Sequence, residues 1–182
     1  GTGKTEIIHL LPNGVDLEGA ANHKGSSFGR PLDEQPVQID FENRIAIDLL
    51  KVSDQHPDTA VVLEDESRNI GARHLPHYFA DQMALGQFAV IEMDFEERLE
   101  RLWQEYVVER YLKTMAFFGA DGEHEFACYL RDSLLRIQKR LGGQRTKELL
   151  ASMDNAIAVQ HSDNFASHRH WLSVITRDYY DP

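Results

Sequence analysis

The chain opens on GTGKT, and no other short stretch narrows its fold as far. Gly3, Lys4 and Thr5 match the last three positions of G-x-x-x-x-G-K-[ST], a loop that is fed by a strand and leads into a helix. Its glycines let backbone N–H groups converge on phosphate oxygens, and the following helix adds its positive end. In such a cradle Gly1, Thr2 and Gly3 supply backbone, Lys4 neutralises the terminal phosphates and the Thr5 hydroxyl meets Mg2+. The first glycine of the pattern would fall ahead of Gly1, and so would the feeding strand. The expectation is therefore a chain cut within its phosphate loop, with the first strand missing.

A core of this kind needs further parallel strands. TAVVLEDES (59–67) is an apolar run closing on carboxylates, read as a buried parallel strand with its functional end at the carboxyl side. It would lie beside the strand of the phosphate loop and offer Asp65, or alternatively Glu64, to Mg2+. QFAVIEMD (87–94) reads as a second buried strand. Ahead of both, KTEIIHLL predicts a helix stopped by Pro12, Asn13 and Gly14. Phe41, Ile45, Leu49 and Val52 fall at helical spacing, and HLPHYFADQMALG predicts another helix.

From residue 95 onward the pattern is helical throughout. Phe95, Leu99, Leu102 and Tyr106 form one stripe, with Asp94–Arg98, Glu97–Arg101 and Glu109–Lys113 pairing four apart. Phe126, Leu130, Leu134, Ile137 and Leu141 form a second stripe, ended by Gly142 and Gly143. Two more helices are expected around TKELLASMDNAIAV and SHRHWLSVITRDYY, with Trp103 and Trp171 as packing anchors. The predicted fold is α/β: a P-loop NTPase-like parallel-sheet core over 1–94 and a helical extension over 95–182, packed on the core as one structural unit.

Chemistry concentrates in VDLEGAANHKGSSFG, where Asp16, Glu18, His23, Lys24, Ser26, Ser27 and the adjacent Arg30 crowd around Gly19, Gly25 and Gly29. A loop this polar sits badly in a core and is expected at the mouth of the site. His23, Lys24 and Arg30 are placed to meet an anion, and Asp16 or Glu18 to take a proton or hold a metal. The formal net charge of −11 argues against the whole surface being a nucleic-acid platform. Yet Arg131 to Lys147 carries six basic residues against one acid, a local basic face. One cysteine excludes an internal disulfide framework and fits a reducing compartment. No apolar stretch reaches the roughly 18 residues of a membrane span, so the expected location is the cytoplasm. The pairs His74/His77 and His168/His170 lack the partners of a zinc site and read as surface or packing histidines.

In order along the chain stand GTGKTEIIHLL, VDLEGAANHKGSSFG, FEN, VVLEDESRNIG, LP, the paired RL of Arg98 to Leu102, and YYDP. Together they resemble the carboxyl-terminal P-loop domain of tRNA 2-selenouridine synthase, from the first residue to the last. The resemblance implies a two-part enzyme in which a rhodanese-like domain with a catalytic cysteine precedes this one. It implies replacement of sulfur by selenium in wobble 2-thiouridine of tRNA, with selenophosphate as donor and an S-geranyl intermediate made from geranyl diphosphate. No prosthetic group is implied, and Mg2+ would accompany the diphosphate.

On this reading Gly1 to Thr5 would hold the diphosphate or a nucleotide, and Arg68, His23 and Arg30 would be secondary anion contacts. Arg131, Arg136, Lys139, Arg140, Arg145 and Lys147 would meet tRNA. No catalytic residue is expected in this chain, which alone should be inactive. Cys128 does not replace the rhodanese cysteine, since it lies away from its helix's apolar seam among basic residues. Lys24 stands where the family pattern has Arg, keeping the charge without the bidentate fork. Two other readings remain open: a stand-alone small-molecule kinase with the same loop, and a non-catalytic tRNA-docking module.

Overall fold

Lys4–Leu10 forms helix α1 in the computed structural model, which describes residues 2–180. The helix closes with the Leu11 N–H on the Ile8 carbonyl, one residue before Pro12. Gly14–Val15 is strand β1, and Asp16 then caps the short helix α2, Leu17–Ala21. An irregular segment runs to α3, Gln38–Gln55, whose Phe41, Ile45 and Val52 are buried as their spacing predicts. Strand β2 is Val62–Leu63, β3 is Asn69–Ile70, β4 is Arg73–His74, and α4 is His77–Ala84.

β1 and β2 pair in parallel, Gly14 opposite Val62 and Val15 opposite Leu63, while β3 and β4 form an antiparallel hairpin. Val15, Leu17, Ala20, Ala21, Phe41, Ile45, Val52, Ile70 and Leu75 form the core of this part, with Leu49, Leu63, Phe79 and Met83 against it. The architecture is a helix-rich α/β fold with small sheets. Two expectations need correcting. β2 is two residues long and half-buried. Residues 87–94 form no strand, and Phe88 and Val90 are 65% and 83% exposed. An apolar run becomes a strand only where a neighbour offers a ladder, and among the described residues none pairs with it.

The chain divides into two compact units, Thr2–Glu92 and Met93–Pro182. The second is all helix: α5 Phe95–Trp103, α6 Arg110–Phe118, α7 Gly122–Arg136, α8 Gln138–Leu141, α9 Gly143–Val159 and α10 His168–Ile175. Between α5 and α6, Gln104–Glu109 winds as a π-helix. The wider turn rotates the apolar stripe. Leu99 and Leu102 are buried as predicted, but the next buried positions are Trp103 and Val107, with Tyr106 half-buried. Of the predicted four-apart pairs, Glu109–Lys113 closes at 3.2 Å.

Phe126, Leu130 and Leu134 are fully buried along α7, and Gly142, at φ 83°, ends α8 where a side chain would be strained. Three buried threonines, Thr114, Thr146 and Thr176, each donate to the carbonyl four residues back at 2.8 Å, so none of these three hydroxyls is stranded. Trp171 and His168 are both 0% exposed. The Trp171 indole N–H donates to His168 Nδ1 at 3.0 Å. That places the imidazole proton on Nε2, which reaches Gln160 Oε1 at 3.3 Å. The Gln160 amide donates in turn to Glu123 Oε2 at 3.0 Å. Burial pushes the His168 pKa down to about 4, against the opposing charge of Asp163. Trp103 donates its indole N–H to the Phe165 carbonyl at 2.9 Å, and the Arg169 guanidinium covers its ring.

Candidate phosphate-binding site

Gly3 stands at the N-terminus of α1 in the left-handed region, φ 79° and ψ 22°, and no side chain caps the helix. Within a helix the first-turn N–H groups have no acceptor of their own. Lys4 and Thr5 open this turn, and both are already engaged by carboxylates. Lys4 Nζ donates to Glu66 Oε1 at 2.9 Å, and Thr5 Oγ1 to Glu18 Oε2 at 3.3 Å. The other oxygen of Glu18 accepts the Gly25 backbone N–H at 2.5 Å. A Cβ on Gly25 would fall 2.3 Å from Glu66 Oε2 and 3.2 Å from Glu18 Oε1. Glycine here lets the loop sit close to both carboxylates without displacing them. The start of α1, α2, the glycine loop and the segment after β2 thus converge on one cluster.

The electrostatics follow from this crowding. Burial works against the charged Lys4 amine, but the Glu66 hydrogen bond and charge outweigh it and hold the pKa above the usual lysine range. Burial raises the Glu18 pKa, helped by the charge of Glu66 and opposed by Gly25, Lys4 and Thr5. One step away, Asp16 Oδ1 accepts the Gly19 N–H at 2.6 Å, and Oδ2 lies 2.7 Å from His9 Nε2. Glu64 is 2% exposed, with Oε2 accepting the Leu17 N–H at 2.9 Å and Oε1 without a hydrogen-bond partner. Burial, with the nearby Asp16 charge, pushes Glu64 up to about 7.

Of the residues expected at the site, Lys4, Thr5, Glu18 and Gly3 are brought together, and Asp16 and Glu64 are adjoining. Thr2 is half-buried, and Gly1 lies outside the described residues. Asp65 is exposed while Glu64 is buried and Glu66 half-buried on either side, because the Glu66 N–H donates to the Glu64 carbonyl at 2.9 Å in a tight turn with Asp65 at its outer corner. The expected magnesium set of Thr5, Glu64 and Asp65 is therefore not assembled: Thr5 is on Glu18, and Glu64 is on Leu17. Among the described residues no group of three or more His, Cys, Asp or Glu could hold a metal ion.

Lys24, Arg30 and Arg68 are exposed, and Arg68 donates to His77 Nε2 at 2.8 Å. Ser26 Oγ takes the Phe28 N–H at 3.1 Å, with Ser27 half-buried beside it. His23 packs on Gly71, whose added Cβ would fall 2.6 Å from ring Cδ2. Sequence reasoning missed Glu66 and His9. No sequence signal marks either: Glu66 is turned inward by the bond of its N–H to the Glu64 carbonyl, and His9 by the fold of α1 toward Asp16.

The basic stretch is interrupted. The expected continuous helix breaks at Ile137 between α7 and α8. Arg131 Nε binds Asp154 at 2.7 Å, and Arg145 binds Asp178. Arg140 donates to the Tyr179 hydroxyl at 3.2 Å. Arg136, Lys139, Arg140, Arg145 and Lys147 remain exposed. Cys128 is half-buried, its sulfur 3.5 Å from His124 Nε2. No helix among the described residues is long and apolar enough to cross a membrane.

Residues 1–182 match the family model described as the tRNA 2-selenouridine synthase AAA domain. The proteins named tRNA 2-selenouridine synthase from Salmonella enteritidis and from Salmonella newport (strain SL254) are each 44% identical over 184 residues. The alignment covers 100% of this chain and 50% of each relative, so the chain spans about half the length of the curated relatives it matches. No solved structure matches the chain.

Proposed function

The chain belongs to the tRNA 2-selenouridine synthase AAA domain family, and from that premise we propose that it is the diphosphate-binding part of a tRNA-modifying selenotransferase. The longer protein would replace sulfur by selenium in wobble 2-thiouridine through an S-geranyl intermediate. A rhodanese-like domain of the same chain would supply the cysteine, and selenophosphate and geranyl diphosphate would be its substrates. Such an enzyme works where tRNA is, in the cytoplasm. The observation that carries this reading is the meeting of Lys4 and Thr5 at the uncapped start of α1 with the glycine loop at Gly25.

In this role Lys4 binds the phosphate oxygens, and the α1 N–H groups donate to those that remain. A Mg2+ ion would be met by hard oxygen donors, the Thr5 hydroxyl and the Glu18 carboxylate, which stand 3.3 Å apart. Bound there it would offset the charge of the diphosphate. The parallel β1–β2 pair and the exposed apolar run at Phe88 and Val90 support a larger P-loop NTPase-like sheet, with β2 beside the strand that feeds the loop.

Titration of the full-length protein tests the ligand. Geranyl diphosphate with Mg2+ should bind with measurable heat, and ATP should not be turned over without RNA. RNA-independent ATP turnover that disappears in Lys4→Ala would replace this reading by that of a small-molecule kinase.

For tRNA, the exposed Arg136, Lys139 and Arg140 support a contact face. A triple change to Gln should flatten the salt dependence of tRNA binding by about one unit for every phosphate that the variant no longer meets. Arg131→Gln, which removes a residue already bound to Asp154, should have a smaller effect. Fluorescence anisotropy over a salt series reads this, with circular dichroism as the folding control. An unchanged slope in the folded triple variant moves tRNA binding elsewhere, and a non-catalytic docking role for these helices would fall with it.

A further inference from the structure

The lysine that should meet phosphate already holds an anion. Lys4 Nζ is 2.9 Å from Glu66 Oε1, and the Glu66 side chain is only 11% exposed against 42% for Lys4. Glu66 is pressed from the other side by Gly25, where its second oxygen fills the space a Cβ would need. Glu18 occupies the Thr5 hydroxyl in the same way and takes the Gly25 N–H. The Lys4 amine and the Thr5 hydroxyl are thus both turned toward the protein's own carboxylates.

We propose that Glu66 is a resident competitor for the phosphate site, an intramolecular latch on Lys4 that an incoming diphosphate must displace. The inference rests on the reading of Lys4 as a phosphate ligand. A carboxylate and a phosphate oxygen make the same charge-assisted hydrogen bond to an ammonium group, so they cannot both hold one N–H donor. The apparent affinity for any ligand that needs Lys4 falls by the fraction of molecules in which Lys4 is released. A partner that draws the segment after β2 away from α1 would raise ligand affinity by the same factor. Glu66 is placed for this by the turn after β2, closed by its own N–H on the Glu64 carbonyl: Glu64 anchors the segment on the Leu17 N–H, and two residues on Glu66 reaches Lys4.

The test is titration of the full-length protein with inorganic pyrophosphate in the presence of Mg2+, comparing wild type, Glu66→Gln and Glu66→Asp. Gln removes the charge, while Asp keeps it on an arm one methylene too short to reach Lys4 in this geometry. Both variants should bind pyrophosphate about tenfold more tightly than wild type, the scale of one charge-assisted hydrogen bond. A gain in Gln without a gain in Asp would mean long-range charge alone and overturn the latch. Equal or weaker binding by a folded Glu66→Asp protein overturns it as well, whether or not the Gln variant folds. Failure of the underlying reading looks different: wild type would then bind pyrophosphate no better than Lys4→Ala.

Discussion

Replacing Lys4 by Ala should weaken diphosphate binding by the full-length protein about 100-fold or more, the scale of losing a cation that makes two charge-assisted hydrogen bonds. Its amine is the one basic group placed at the first turn of α1 among the described residues, beside the cluster formed by Glu18 and Glu66. With the cation gone, those carboxylates would face the phosphates without compensation, so repulsion adds to the missing attraction. Lys4→Arg should retain part of the affinity, since it keeps charge but presents a planar fork in place of a point charge. Calorimetric titration with geranyl diphosphate reads the effect, with circular dichroism to show that the fold survives. Undiminished affinity in Lys4→Ala would remove this residue from the site and, with it, the proposed diphosphate role.

Acid should unfold the Met93–Pro182 unit earlier than its remaining groups would require, through His168. Burial holds this imidazole at about 4, against about 6.5 in the unfolded chain. The sign follows from which state takes up the proton. Above pH 6.5 both states are neutral at His168 and stability is full. As pH falls from about 6.5 through about 4, the unfolded chain binds a proton that the folded core refuses, and stability drops. The decrease over that window is about 3 kcal/mol, at roughly 1.4 kcal/mol for each pH unit separating the folded and unfolded values. Protonation of Nδ1 would also evict the Trp171 indole N–H, which donates to it in the folded state. Trp103 and Trp171 are the two tryptophans of the chain and both lie in this unit. Intrinsic fluorescence in urea at several pH values therefore follows its unfolding alone. His168→Gln should flatten the dependence between pH 4 and 6.5, and a wild-type curve already flat there would refute the argument.

The helices were legible because a buried stripe leaves a period in the sequence. Phe41, Ile45 and Val52 on α3, and Phe126, Leu130 and Leu134 on α7, are where spacing puts them. What escaped depends on partners that sequence does not display. Residues 87–94 have a strand's composition, but strand formation is a property of a pair, and periodicity carries no information about who sits alongside. The π-helical turn at Gln104–Glu109 displaces a stripe extrapolated at α-helical pitch from Phe95.

At the site, the loop residues with strong local signatures were found, and Lys4, Thr5 and Glu18 do meet. An apolar run closing on carboxylates looks like the approach to a metal, which puts forward Asp65, or alternatively Glu64, and leaves Glu66 aside. The tight turn at 64–66 decides which of three consecutive acids faces outward, and it leaves Glu64 and Glu66 turned inward. Arg131 and Arg145 were read as basic surface because their partners, Asp154 and Asp178, lie well along the chain.

The bond from the Leu17 N–H to the buried Glu64 carboxylate ties residues 47 positions apart, and the β1–β2 ladder beside it closes the same long loop. Such closure yields nothing until the ends have found each other, and its entropic cost must be met first. Met93–Pro182 mixes both kinds of contact: α6 packs chiefly against α7, its immediate successor in sequence, while α5 meets α10, with the Trp103 indole N–H on the Phe165 carbonyl 62 positions away. In Thr2–Glu92 the joining of Gly14 to Val62 is what brings the Glu64–Glu66 segment to the phosphate lysine, so the site exists only once that loop has closed.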